Sequence, residues 1–234
     1  MKKSKKQIND AHTVTSADLP LLRRARLFRG VTEETVTASL SLLGGAVRLY
    51  EKNETVHRMG ERFSAFGIVL GGNIQVYTDD LDGNRMMMAA VSAGGSFGES
   101  HCYLGTEEPP VYVLAGHDGA RVLWLSLDPL RSIPLTASAL VRDLAERFTA
   151  MLAENTLLMN ARIQILSRRT LREKIMTFLL EWSRYTGERT FLVPFDREGL
   201  ATYLAVNRTA LSRELSLMQK EGIIHYFRAS FKIL

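Results

Sequence analysis

The chain has 234 residues, of which 46% are hydrophobic and 24% are charged, and its formal net charge is +5. This length accommodates one large domain or two small ones with a buried core, and the composition excludes disordered, collagen-like and fibrous coiled-coil proteins. No apolar run is long enough to cross a bilayer. The single cysteine, Cys102, excludes an internal disulfide and a four-cysteine metal or iron–sulfur site within one chain.

The first residues, 1–18, combine four lysines with no apolar segment, which is unlike a secretory signal. We expect a frayed tail here and a cytoplasmic location for the protein. The lysines are Lys2, Lys3, Lys5 and Lys6.

The charge is unevenly distributed along the chain. Residues 160–234 carry 13 basic and 7 acidic side chains, whereas the residues before them have a balance of −1. A basic C-terminal third favours a polyanionic partner, most simply nucleic acid. The alternative is a solvated basic face that binds no partner.

Residues 19–45 are predicted to form a helix, because apolar residues recur along them and Gly44-Gly45 would end it. The apolar members are Leu19, Leu22, Leu27, Phe28, Val36, Leu40 and Leu43.

Between Val47 and Leu127, short apolar segments alternate with glycine turns. Ile74–Tyr77 and Arg121–Leu125 are typical of strands, and Asp82-Gly83 predicts a hairpin between two such segments. Many short strands with frequent turns indicate a sandwich or barrel.

Residues 136–166 contain no glycine or proline and predict one long helix. Seven of its residues follow a heptad spacing, and two of them, Asn155 and Arg162, are polar. This pattern favours a parallel dimer seam over the alternative, a helix that packs on its own domain. The seam residues are Leu144, Phe148, Met151, Asn155, Leu158, Arg162 and Ile165.

A hinge at Leu166–Arg169 is predicted to precede a further helix. Thr170 and Glu173 form a capping-box pattern that begins this helix, and Gly187 ends it.

The last segment predicts a helix-turn-helix followed by a two-stranded wing. Asp196 caps a short helix through Leu204, and Asn207 caps a second helix from Arg208 to about Glu221. The second helix would bury Leu211, Leu215 and Met218, and its outward face carries no acidic residue before Glu214. We expect that face to enter a DNA major groove. The wing is predicted at Ile223–Phe227 and Phe231–Leu234.

Residues 20–234 resemble bacterial transcription regulators of the CRP/FNR family. The motifs that carry the resemblance are Gly60-Glu61, Gly72, Gly95-Ser-Phe-Gly98-Glu99, the helix over 136–166 and the stretch from Asp196 to Leu215. The resemblance implies an α+β fold with an N-terminal double-stranded β-helix (jelly-roll) sensor domain, a long dimerisation helix and a C-terminal winged helix-turn-helix. These domains would span residues 19–135, 136–166 and 167–234.

The resemblance also implies a homodimer that binds a pseudo-palindromic DNA operator, works with RNA polymerase and has no enzymatic activity. The two arginines that read guanine or phosphate in the family fall on Arg208 and Arg213. The residue after the first arginine is commonly glutamate and is Thr209 here, which predicts a different half-site. The predicted DNA-binding residues are Asn207, Arg208, Thr209, Ser212, Arg213, Ser216 and Arg228.

The effector site departs from the family pattern. Cyclic-nucleotide-binding members hold the ribose with a glutamate, which is Glu99 here, and the cyclic phosphate with an Arg-Ser or Arg-Thr pair. That pair is replaced by Pro109-Pro110, which has no charge and no N–H, so we expect no ordinary affinity for cyclic AMP. An unidentified small molecule is predicted to bind between the jelly-roll domain (the roll) and the long helix. The predicted effector-binding residues are Phe97, Gly98, Glu99, Ser100, Val111, Met159 and Asn160.

Two alternatives remain open at this point. His101 and Cys102, with His57 and Met59 nearby, allow a haem- or redox-sensing regulator, whereas the iron–sulfur branch is excluded by the absence of N-terminal cysteines. No metal site is predicted. A ligand-binding barrel with an enzymatic role has little support, because dinucleotide, P-loop and His-Glu-x-x-His patterns are missing.

Overall fold

The computed structural model describes residues 13–79, 82, 83, 85–131, 133, 136–193 and 195–234. The four lysines predicted to lie in a tail fall outside the described residues. The chain divides into two compact units, one ending at Leu152 and the other beginning at Ala153. In the described part of the chain, no helix has the length and apolar character needed to traverse a lipid bilayer.

The N-terminal unit is mainly β-structure with short helices before, within and after it. Its 3₁₀ turns are Ser16–Asp18 and Arg26–Phe28, and its other elements are α1 (Leu19–Leu22), α2 (Glu33–Leu42), β1 (Ala46–Tyr50), β2 (Thr55–His57), β3 (Phe66–Asp79), β4 (Arg85–Ser92), β5 (Ser96–Phe97), α3 (Glu99–Leu104), β6 (Tyr112–Leu125) and α4 (Asp128–Arg131).

A long helix, α5 (Ala139–Leu166), runs from the first unit into the second. The C-terminal unit then contains α6 (Leu171–Thr186), β7 (Thr190–Leu192), α7 (Arg197–Tyr203), α8 (Arg208–Lys220), β8 (Ile224–Phe227) and β9 (Ser230–Ile233).

The single helix predicted over residues 19–45 is wrong. The segment forms α1, a 3₁₀ turn and α2. Gly30 adopts the left-handed conformation with φ +77°, which ends the first part, and the Thr32 hydroxyl accepts a hydrogen bond from the Thr35 amide to begin α2. Five of the seven apolar residues are nevertheless buried, and Leu19 and Leu40 are partly buried against the same core.

The strands pair antiparallel and form a roll, which confirms the predicted jelly-roll domain. The order is β1-β6-β3-β4, with β2 on β6 and β5 on β3. The pairing of β3 with β4 confirms the hairpin predicted at Asp82-Gly83. The two longest strands, β3 and β6, shift register near Gly72, where a Cβ would lie 2.2 Å from the carbonyl oxygen of Gly119. Glycine is therefore needed where these two backbones approach each other.

The seam prediction for the first half of α5 is also wrong. Leu144, Phe148 and Met151 are 1%, 3% and 2% exposed and belong to the hydrophobic core of the N-terminal unit. The rings of Phe148 and Phe66 lie 6.1 Å apart in an edge-on arrangement. A heptad spacing arises on any helix that buries one stripe, and here the stripe packs on its own unit. These side chains are therefore unavailable to a second chain.

The remaining seam residues lie in different surroundings. Asn155 is half-buried and Leu158 is 44% exposed. Ile165 is buried in the C-terminal unit, and the Arg162 guanidinium lies 4.8 Å from the centre of the Tyr203 ring. The seven residues therefore do not form one exposed face. The division between units also falls inside α5, because its first half packs on the roll.

The C-terminal unit packs three helices against a small sheet. Thr170 and Glu173 form the predicted capping box, and Gly187 ends α6 with φ +74°. The sheet has the order β7-β9-β8, so the two predicted wing strands are joined by a third strand, Thr190–Leu192, that the sequence analysis missed. Phe178 lies at the centre of an aromatic cluster with Trp182, Phe195 and Tyr203.

Candidate nucleic-acid interface and sensor site

The two helices of the predicted helix-turn-helix are each begun by a side-chain cap. The Asp196 carboxylate accepts a hydrogen bond from the Gly199 amide at 2.7 Å, which starts α7. The Asn207 side-chain oxygen accepts from the amides of Thr209 at 2.8 Å and Ala210 at 3.3 Å, which starts α8. Asn207 therefore has a structural role besides its predicted place at the interface.

The two faces of α8 are separated as the sequence predicts. Leu211, Leu215 and Met218 are fully buried, whereas Arg208 and Arg213 are exposed. The arrangement presents charged, hydrogen-bonding side chains to a partner while the apolar stripe fixes the helix.

The shorter side chains of α8 differ in their availability. Thr209 is exposed and Ser212 is half-buried. The Ser216 hydroxyl donates to the Ser212 carbonyl at 2.9 Å and lies 3.2 Å from the Tyr226 hydroxyl on β8. Ser216 thus links α8 to the wing, in addition to its predicted contact with DNA.

One arginine of α6 holds the orientation of α8. The Arg172 guanidinium donates to Glu214 and Glu221, each at 2.6 Å. These hydrogen bonds raise the pKa of Arg172 above its ordinary value. The partners are separated by 42 and 49 residues in sequence, so no local pattern pointed to this contact.

The wing carries an exposed arginine in an unusual backbone conformation. Arg228 has φ +54°, and its guanidinium lies 5.4 Å from the centre of the Phe227 ring. The left-handed conformation costs a non-glycine residue about 1–2 kcal/mol. Both side chains are exposed, so the turn presents a cation and an aromatic ring together.

The sensor candidates of the roll lie around the start of α3. Gly98 precedes the helix with φ +77°, and a Cβ at this position would lie 2.6 Å from the Phe63 ring. Glu99 is 6% exposed, and the Ser96 hydroxyl donates to it at 3.3 Å. Phe97 is buried and Ser100 is exposed. The segment therefore holds a buried carboxylate at a glycine-dependent turn.

Pro109 and Pro110 occupy the positions that the resemblance assigns to the phosphate-binding pair, and the carbonyls of both residues are hydrogen-bonded within the protein. The Pro109 carbonyl accepts a hydrogen bond from the Gly60 amide at 3.1 Å. The Pro110 carbonyl accepts one from the Thr78 hydroxyl at 2.7 Å. Neither residue has an N–H or a charge, so the pair offers a phosphate no donor and no cation. The neighbouring Val111 is half-buried.

The histidines near α3 are packed against one aromatic ring. His57 stacks on Phe63 with ring centres 3.5 Å apart, and His101 lies on the same ring at 5.9 Å. Burial lowers the pKa of both imidazoles and raises the pKa of the Cys102 thiol. The described residues include no group of three or more His, Cys, Asp or Glu side chains placed to hold a metal ion.

Two predicted effector residues belong to the other unit. Met159 and Asn160 lie on the part of α5 that follows Ala153, and both are exposed. Their assignment to an effector site stays a prediction.

The described elements define a class of protein. In chain order, an antiparallel roll with a glycine-glutamate turn is followed by a long helix and a winged helix-turn-helix with an exposed basic helix. Residues 47–133 match the cyclic nucleotide-binding domain family, and residues 173–234 match the Crp-like helix-turn-helix domain family. The chain therefore belongs to the CRP/FNR family of DNA-binding transcription regulators.

Solved structures of the family share this fold. FixK2 from Bradyrhizobium japonicum is 22% identical with a TM-score of 0.62, covering 81% of this chain and 92% of that one. The c-di-GMP responsive regulator CLP from Xanthomonas campestris is 17% identical with a TM-score of 0.63, covering 86% and 99%. The regulator TTHB099 from Thermus thermophilus is 20% identical with a TM-score of 0.54, covering 80% and 91%. No curated protein matched the chain.

Proposed function

We propose that this regulator is a homodimer that reads a specific, pseudo-palindromic operator and is controlled by a small molecule other than cyclic AMP. The observation that carries the DNA-reading part is the exposure of Arg208 and Arg213 over a fully buried stripe on α8. Two recognition helices about 34 Å apart would meet successive turns of one DNA face.

Selection of bound sites from random DNA tests this part. We expect the protein to enrich an inverted repeat, and its affinity for that repeat to fall steeply with salt because Lys and Arg displace counterions. Selection of no sequence, or of a sequence without two related half-sites, would contradict the proposal.

The dimer contact is proposed to use the second half of α5 and a second copy of this chain. Met159 and Ile163, which are four residues apart and therefore lie on one face of the helix, are 62% and 63% exposed. Large apolar side chains at this exposure on a helix are typical of an interface. A pseudo-palindromic operator also requires two copies related by a two-fold axis.

Ile163→Glu tests the dimer contact. We expect the variant to sediment as a monomer at concentrations where the natural protein is a dimer, because a charge replaces an apolar contact. Thr149→Glu, which adds the same charge at an exposed position on the first half of α5, should remain dimeric. Equal sedimentation of Ile163→Glu and the natural protein would contradict this contact.

The effector is proposed to be an organic molecule that meets the roll near Glu99 and shifts the dimer between two DNA-binding states. Support comes from the buried carboxylate at the Gly98 turn. It also comes from Pro109-Pro110, which offer neither an N–H nor a cation at the positions that the resemblance assigns to the phosphate-binding pair. A thermal-shift screen of small organic ligands tests it, because a ligand that binds the folded state raises the melting temperature.

Haem is the second candidate. The packing of His57 and His101 on Phe63 favours an organic effector over haem ligation. A Soret band in the purified protein would reverse this preference.

Contact with RNA polymerase at the promoter completes the proposed function, and co-purification on operator DNA tests it.

A further inference from the structure

An acidic side chain lies beside the recognition helix, although phosphates repel a carboxylate at a DNA interface. Glu198 is in the first turn of α7, and its Oε2 lies 3.4 Å from Nε of Arg208, the first residue of α8. The two side chains are 71% and 63% exposed. The sequence of α8 itself has no acidic residue before Glu214, because this carboxylate belongs to the preceding helix, α7.

The geometry of the pair leaves one edge of the guanidinium available. Arginine carries five N–H donors in a planar fork, and Glu198 faces the Nε side. The two terminal amino groups remain for a partner, and such donors meet O6 and N7 of guanine in a bidentate contact. A carboxylate at Nε also opposes rotation of the guanidinium toward a phosphate.

We propose that Glu198 is a positioning residue that aligns Arg208 for guanine and away from the DNA backbone. The inference rests on the proposed DNA-reading function of α8. It assigns to Glu198 a role in specificity, because its charge weakens binding to any DNA while its contact with Arg208 favours one base.

The position of Arg208 explains why it needs such a partner. A cation at the first residue of a helix faces the positive end of the helix dipole, and a nearby carboxylate offsets that repulsion. Arg213, one and a half turns further along, makes no ion pair with any residue that the structure describes. An exposed ion pair adds little to folding stability, so the effect of Glu198 is expected in DNA binding.

Glu198→Gln tests the proposal, with Glu181→Gln as the matched control. Glu181 pairs with Arg184 on α6, so the control removes the same charge from another ion pair of the same unit. Fluorescence anisotropy would compare the selected operator, the operator with each guanine replaced in turn, and a scrambled duplex. The full-length natural protein is measured first, and its failure to prefer any duplex overturns the proposed function itself, and the role of Glu198 with it.

The expected result is a change in discrimination. Glu198→Gln should bind the scrambled duplex more tightly and lower the operator-to-scrambled ratio by roughly three- to tenfold, with the loss confined to one guanine of each half-site. In an Arg208→Ala background, Glu198→Gln should leave the ratio unchanged. The control should keep the natural ratio. A parallel shift for all duplexes, a fall in melting temperature with an unchanged ratio, or the same loss without Arg208 would each overturn the proposal.

Discussion

The two units of the chain differ in how far their predicted binding residues follow the family pattern. In the C-terminal unit, both arginines that resemble the family's DNA-reading residues are exposed on a well-anchored helix. In the N-terminal unit, the Gly98 turn and Glu99 are present, but Pro109 and Pro110 occupy the positions that the resemblance assigns to the phosphate-binding pair. A Cβ at Gly98 would lie 2.6 Å from the Phe63 ring, so the fold requires this glycine whatever ligand the roll binds.

The two halves of α5, one in each unit, also differ in the exposure of their apolar side chains. Its first half completes the core of the roll, and its second half exposes apolar side chains. Variants in the buried core of the first unit should therefore lower stability and leave base reading intact. Variants at the exposed arginines of α8 should change base reading and leave stability intact.

Phe148→Ala should produce the largest effect. Removing a ring that is 3% exposed leaves a cavity, so we expect the free energy of unfolding of the N-terminal unit to fall by about 3–5 kcal/mol. Chemical denaturation followed by circular dichroism measures it, and Leu104→Ala, at a side chain that is 77% exposed, should change little. If Phe148→Ala dissociated the proposed dimer without lowering the free energy of unfolding, Phe148 would belong to a dimer seam as the heptad spacing predicted.

Arg213→Ala should lower base discrimination and leave the proposed dimer intact. An arginine–guanine contact supplies ~1–3 kcal/mol, so the preference for operator over scrambled DNA should fall by about 5- to 150-fold. Arg184→Ala removes the same charge from α6 and should retain the preference. An unchanged footprint and affinity for Arg213→Ala would show that α8 does not read the bases.

Asp18→Asn tests an ion pair that joins the start of the first unit to β6. Hydrogen bonds from Arg121 lower the pKa of Asp18 from 3.8 to about 2. The carboxylate therefore stabilises the fold above pH 4, and this contribution is lost as the pH falls through about 2. We expect Asp18→Asn to lower the free energy of unfolding by about 2 kcal/mol at pH 7 and by much less at pH 2.

The control for this pH dependence is Asp128→Asn, which breaks an exposed pair with Arg131. It should shift the unfolding midpoint little at either pH. A constant difference between Asp18→Asn and the natural protein from pH 7 to pH 2 would argue against the ion pair.

Asn207→Ala should lower stability less than Phe148→Ala or Asp18→Asn does. Loss of the cap leaves two amides of α8 without their partner, at a cost of about 1 kcal/mol to the C-terminal unit. Asn207→Ser retains a capping oxygen and should recover most of it. Equal stability of the alanine and asparagine proteins would show that the cap contributes nothing.

The features predicted correctly from sequence depend on short-range patterns. The caps at Thr170, Asp196 and Asn207 are set by residues two or three positions away, and the buried stripe of α8 follows from helical spacing. The resemblance to the CRP/FNR family likewise rests on contiguous motifs.

The features that could not be predicted depend on which distant residue a side chain contacts in the folded protein. The heptad spacing of Leu144, Phe148 and Met151 is the same whether the stripe packs on a second chain or on the roll. The contacts of Arg172 with Glu214 and of Arg121 with Asp18 join residues 42 and 103 positions apart. The contact of Glu198 with Arg208 was not predicted either, because Glu198 lies on α7 and Arg208 on α8.

We expect this protein to bind a specific DNA operator without binding cyclic AMP. Calorimetric titration of cyclic AMP into the full-length protein tests it most directly, with operator binding measured on the same sample. We expect no saturable cyclic AMP binding in the micromolar range, together with specific operator binding that cyclic AMP does not change. Micromolar or tighter binding of cyclic AMP would contradict it.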